Sequence, residues 1–163
     1  LIHLSTGDIF RYNIKESTDL GVMAKEFMDK GELVPDEVTI KMLESEVNKH
    51  PESSGFIFDG FPRTTNQAKA LDDFLSSKNL FITKMIALEV PNDELISRLF
   101  LRGKQSGRAD DQDKSIIANR IKVYESQTAV LAEYYKAQNK LATVNGVGSV
   151  DQITERLYRS IDL

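Results

Sequence analysis

Asp59-Gly60-Phe61-Pro62-Arg63 directly follows the apolar run Phe56-Ile57-Phe58. A strand that ends in an acid, then Gly, then Pro-Arg, delivers a carboxylate and a guanidinium to one strand tip. Carboxylates at strand tips commonly hold Mg²⁺ through water, and a guanidinium clamps phosphate oxygens in a planar fork. Gly60 lets a ligand approach the backbone closely, and Pro62 fixes the turn. A plainer role for Asp59 is to cap the helix start at Thr64 or Thr65. Upstream, Ser5-Thr6-Gly7-Asp8-Ile9-Phe10-Arg11 opens a helix whose N-terminus suits a nucleotide phosphate, with Arg11 one turn further on. The same residues also read as an ordinary N-cap. Gln67 lies four residues past Arg63 on the same helix face. Its amide both donates and accepts, which matches adenine, although an exposed Gln is also simply solvated.

The polar stretch Gly103-Lys104-Gln105-Ser106-Gly107-Arg108-Ala109-Asp110-Asp111 contains a single apolar residue, Ala109, and two glycines between long helices. It is expected to be a mobile loop over a site. Arg102 and Arg108 flank it, and Arg98 precedes Arg102 by one helical turn. Each of Arg11, Arg63, Arg98, Arg102, Arg108 and Arg120 alone suits a solvated surface. Together they offer the fixed cations and water exclusion that phosphoryl transfer needs. His3 and His50 lack any metal-type spacing and are expected to be structural. Tyr134, Tyr135, Phe56, Phe58 and Phe61 read as core or rim. No arrangement suggests a Ser-His-Asp or Cys-His nucleophile.

The elements that must position these groups alternate. Short apolar runs at Leu1–Leu4, Gly55–Phe58, Lys84–Val90 and Leu141–Val144 suit parallel strands buried on both faces. Amphipathic stretches at Asp8–Glu16, Gly21–Lys30, Asp36–His50, Thr64–Lys78, Pro91–Phe100, Lys114–Gln138 and Ser149–Ile161 suit helices. This is the α/β pattern. The length of 163 residues allows one domain with a real core. With 40% apolar and 28% charged residues the chain falls among folded globular proteins. A net charge of −4 gives no basic field for nucleic acid or an anionic membrane, so any phosphate must be held by locally placed arginines. The absence of cysteine excludes a disulfide framework and thiolate metal sites, and it suits a reducing compartment. No run is long enough to span a membrane, and no signal peptide is visible. No long apolar stripe marks a subunit contact, so a monomer is expected.

Four segments carry a family resemblance: Ser5-Thr6-Gly7-Asp8, Leu33-Val34-Pro35-Asp36-Glu37, Phe58-Asp59-Gly60-Phe61-Pro62-Arg63-Thr64, and Arg102-Gly103 through Gly107-Arg108-Ala109-Asp110-Asp111. They resemble bacterial adenylate kinases, in the short-lid form without zinc-binding cysteines. The likeness covers essentially the whole chain. It implies a P-loop nucleotide-kinase-like parallel sheet flanked by helices over residues 1–163, an NMP-binding insert at 5–36 and a lid at 102–111. It implies reversible, Mg²⁺-dependent transfer from ATP to AMP giving two ADP, in the cytoplasm. Thr6, Arg11, Gly60, Phe61, Arg63 and Gln67 would then bind AMP, with Glu32, Leu33 and Val34 bordering its adenine. Arg98, Arg102 and Gly146 would contact ATP. Arg108 and Arg120 would reach the phosphates during transfer, and Asp59 would hold the water shell of Mg²⁺. Catalysis would fall to Arg63, Arg102, Arg108, Arg120 and Asp59.

Two departures qualify the likeness. The family's glycine-rich phosphate loop and first strand are expected ahead of Leu1, with that strand between Gly55–Phe58 and Lys84–Val90. The chain opens instead on Leu1-Ile2-His3-Leu4, a strand already under way, so a longer natural protein is expected. The spacing from Arg108 to Arg120 is also one residue longer than the family's usual one. Two alternatives stay open: an AMP-binding module that catalyses nothing, and a kinase for UMP or CMP.

Overall fold

The computed structural model describes residues 1–161. Strand β1 (Ile2–Ser5) leads into helices α1 (Thr6–Lys15), α2 (Asp19–Met28) and α3 (Asp36–Asn48). Strand β2 (Phe56–Asp59), helix α4 (Thr65–Ser77), strand β3 (Met85–Glu89) and helix α5 (Asn92–Ser106) follow. A 3₁₀ turn (Ala109–Asp111), helix α6 (Lys114–Val123), a π-helical turn (Tyr124–Thr128), helix α7 (Leu131–Lys136), strand β4 (Leu141–Asn145) and helix α8 (Val150–Ile161) complete the order. The fold is α/β, with short parallel strands flanked by helices. β1 pairs with β2 so that Ser5 lies opposite Asp59. β3 pairs with β4, with Glu89 opposite Asn145. β2 and β3 are not hydrogen-bonded to each other. A cavity of about 1700 Å³ is lined by residues of both strands.

Local chemistry sets the helix starts. The Ser5 hydroxyl accepts from the Asp8 N–H at 3.4 Å and caps α1. Thr18 caps α2, Thr64 caps α4, and Pro35 precedes the first turn of α3. The apolar faces then build three clusters. Leu4, Leu43, Val47, Phe61, Leu71 and Leu75 join β1 to α3 and α4. Phe10, Ala24, Val34 and Met42 seat α1 and α2 on α3. Ala68, Leu131 and Tyr135 seat α7 on α4. Burial of such side chains is the main stabilising term, at about 1.5–3 kcal/mol each.

Two expectations are corrected. The stretch from Gly103 to Asp111 is not an open loop. α5 runs on through Ser106, ends at the left-handed Gly107, and is followed by the 3₁₀ turn. Gly103 is buried, and a Cβ there would collide with the Asp111 carbonyl, so this glycine serves close packing between helix and turn. The single helix expected over Lys114–Gln138 is broken by the π-turn, where the Ala129 N–H bonds back to the Tyr124 carbonyl at 2.8 Å. Among the described residues, no helix is long and apolar enough to cross a membrane.

Candidate active site

The β1–β2 register builds the first part of the site. Because Ser5 faces Asp59, the next residues of each strand meet: the buried Thr6 donates its hydroxyl to the Gly60 carbonyl at 2.9 Å. Gly60 has φ of +72°, and a Cβ would stand 2.8 Å from Arg63 Nη2 and 3.2 Å from Thr6 Oγ1. Arg63 folds back over this turn and donates from Nε to the Gly60 carbonyl at 2.7 Å. The Phe61–Pro62 peptide is cis. From the π-turn, Thr128 donates to the Arg63 carbonyl at 2.7 Å, so the break in the long helix serves the site.

Asp59 does not cap α4. Thr64 does, accepting the Gln67 N–H at 3.1 Å. The Asp59 carboxylate stays exposed at the strand tip, 3.3 Å from His3 Nε2. His3, expected to be structural only, therefore stands beside a candidate site residue. Phe61 turns its ring into the core.

Gln67 is not a solvated side chain: it is 2% exposed. Its Oε1 accepts from the Arg63 N–H at 2.7 Å, and its Nε2 donates to Asp36 Oδ1 at 2.9 Å. Thr64 and Asn66 donate to the other Asp36 oxygen at 3.0 and 3.2 Å. Thr6, Arg11, Gly60, Arg63, Gln67 and Arg120 all line the large cavity, and Glu32, Leu33 and Val34 border the same space. Asp59, Arg98, Arg102, Arg108 and Gly146 lie outside that lining.

The remaining arginines are organised by carboxylates. Asp111 is fully buried and accepts from Arg102 Nε at 2.6 Å and, on its other oxygen, from Arg120. Arg120 also pairs with Asp110 at 3.0 Å. Asp8 accepts from Arg11 at 2.5 Å and lies 3.9 Å from Arg108 Nη2. The Arg11 hydrogen bond holds the Asp8 carboxyl below its ordinary range, with a further contribution from the charge of Arg108. Burial, and then the positive charges of Arg120 and Arg11, depress the Arg63 guanidinium. Burial, and then Arg11 and Arg102, do the same to Arg108. These five cations therefore share one electrostatic neighbourhood. Arg98 bonds to the Gly146 carbonyl at 2.7 Å and pairs with Glu94, which joins two positions that are 48 residues apart.

Four contributors were not singled out in the sequence. Asp110 and Asp111 carried a signal, two adjacent acids flanked by Arg108 and Arg120. Asp36 lies in the segment Leu33–Glu37 that carries the family resemblance, but nothing local points to its partner Gln67, 31 residues away, and Thr128 carried no signal, its partner Arg63 being 65 residues away.

Known proteins resemble this chain over most of its length. The family model described as "Adenylate kinase" matches residues 1–140. An adenylate kinase of Flavobacterium psychrophilum is 59% identical over 162 residues, covering 99% of this chain and 85% of that protein. One from Flavobacterium johnsoniae is 57% identical with the same coverage. One from Bacteroides fragilis is 45% identical over 98% of this chain and 84% of its own length.

Proposed function

The chain belongs to the adenylate kinase family, and from that premise we propose that it moves the terminal phosphoryl group of ATP onto a phosphate oxygen of AMP, leaving two ADP. The observation that carries this reading is one shared space. Thr6, Gly60, Arg63 and Gln67 come together through contacts across 54 residues of sequence or through the turn that follows β2, and Arg11 and Arg120 line the same cavity.

Roles follow from chemistry. Thr6, Gly60 and Gln67 hold AMP, with Glu32, Leu33 and Val34 beside its adenine. Arg11 and Arg63 take its phosphate, since clustered guanidinium groups are the natural receptors for phosphate oxygens. Arg102, Arg108 and Arg120 counter the charge that spreads over the transferring group. Arg98 and Gly146 border the ATP base. The insert at 5–36 and the lid at 102–111 close over both nucleotides and exclude water. Among the described residues no three potential metal-ligating side chains gather into a cage. An exposed, hard-oxygen carboxylate such as Asp59 fits Mg²⁺, which keeps most of its waters and is commonly held by one or two carboxylates and substrate phosphates. When bound, that ion neutralises phosphate charge. A cytoplasmic monomer goes with this reading and with the absence of cysteine.

The test is Arg63→Ala in a coupled assay of ADP formation. Loss of one preorganised charge-stabilising donor lowers kcat by about 10²–10³. Near-normal turnover overturns the reading.

A further inference from the structure

We propose that Asp36, which lies outside the cavity, fixes the polarity of the Gln67 amide and thereby selects a 6-aminopurine over a 6-oxopurine monophosphate. This rests on the reading above that Gln67 faces the base of the accepting nucleotide.

A glutamine amide presents a donor at one end and an acceptor at the other, and a rotation of 180° swaps them. Here neither end is free to swap. Oε1 meets the Arg63 backbone N–H, which can only donate. Nε2 meets an Asp36 oxygen, which as a carboxylate can only accept. Both contacts are made by a side chain that is 2% exposed. Asp36 is itself held in place. Thr64 and Asn66 donate to its second oxygen, and Thr64 also caps the helix that carries Gln67. The carboxylate thus receives three donors and ties the first turn of α3 to the first turn of α4.

The consequence lies on the cavity side. Each amide end has one valence left: the second Nε2 hydrogen and the second Oε1 lone pair. An adenine edge offers a ring-nitrogen acceptor beside an exocyclic N–H donor, and both can be met. The corresponding edge of hypoxanthine or guanine offers a carbonyl acceptor beside a ring N–H donor, in reversed order. Meeting it requires the flipped amide, which would set an N–H against the Arg63 N–H and a carbonyl against Asp36. A site whose buried polar groups are left facing like groups rejects the wrong ligand strongly.

The test compares kcat/KM for AMP and for IMP in wild type, Asp36→Ala, Asp36→Asn and Gln67→Ala, with KM for ATP followed in parallel. Asp36→Ala is expected to lower the AMP-to-IMP ratio about tenfold or more, with KM for ATP unchanged, because one end of the amide loses its anchor. Asp36→Asn keeps the shape with a single acceptor oxygen, and its ratio is expected to fall by a smaller factor, of about threefold. It decides the question alone if the alanine variant does not fold. A ratio that collapses in Gln67→Ala but stays at the wild-type value in the Asp36 variants overturns the role of Asp36. A ratio unchanged in Gln67→Ala as well overturns the base-side reading of Gln67, and this proposal with it.

Discussion

The Thr6–Gln67 side and the Arg102–Arg120 side of the candidate site are held by different forces. Around Thr6, Gly60, Arg63 and Gln67 the bonds run largely to backbone groups: two reach the Gly60 carbonyl, one the Arg63 N–H and one the Arg63 carbonyl. Around Arg102, Arg108 and Arg120 the partners are carboxylates, namely Asp111, Asp110 and Asp8. Bonds to backbone fix direction. Ion pairs fix charge, and a guanidinium can trade a carboxylate for phosphate oxygens at modest cost where solvent reaches it. The first region is therefore held mainly by directional bonds to backbone and the second by paired charge. Asp111 is the exception within the second region. It is fully buried, so its two arginines are anchored side by side against their mutual repulsion.

That contrast can be broken most severely at Asp111. Asp111→Ala removes the buried counter-charge of two partly exposed guanidinium groups, and loses about 2–4 kcal/mol of stability, less than two fully buried charge-assisted bonds because solvent reaches both arginines. Urea unfolding reads this directly. A loss below that of an ordinary surface substitution would show that the pair is not anchored from within.

Gly103→Ala attacks the same joint by sterics alone. The added methyl meets the Asp111 carbonyl and must push the 3₁₀ turn away from α5, at about 1–3 kcal/mol. The expected outcome is a lower melting temperature together with a raised KM for ATP. An unchanged KM would separate turn packing from ATP binding.

The smallest effect is expected at Asp8, where the link from α1 to Arg108 is exposed. Its folded pKa lies below the ordinary 3.8 because of Arg11, then the Ser5 hydroxyl, then Arg108. Its contribution to stability is thus fully present above 3.8 and is lost as pH falls through the lower folded value. Asp8→Asn removes that component. Urea midpoints of variant and wild type should differ at neutral pH and converge below pH 3.8. Curves that stay parallel throughout would assign no electrostatic role to the link.

Much of this was legible before any coordinates. The four strands fall within one residue of their expected ends, because a short apolar run between turn-forming residues has few alternatives. The turn after β2 was legible for the same reason: Asp59, Gly60, Pro62 and Arg63 act within one another's reach. The stretch from Gly103 to Asp111 reads as a loop in the sequence because its residues are polar. Polarity reports exposure, whereas α5 continues to Ser106 through backbone bonds and the seating of Gly103. The π-turn was missed because one extra residue in a helical turn leaves almost no trace in apolar spacing.

Residue types and their local spacing thus determined the α/β class, the helix starts and the turn that follows β2, since each depends on neighbours within a turn or a strand. Which carboxylate meets which arginine, that His3 stands by Asp59, and that Asp36 grips Gln67 were decided only when strand register and helix packing brought distant segments together. A side chain's type sets what it can bond, but its partner is whatever the closest packing of the core leaves within reach.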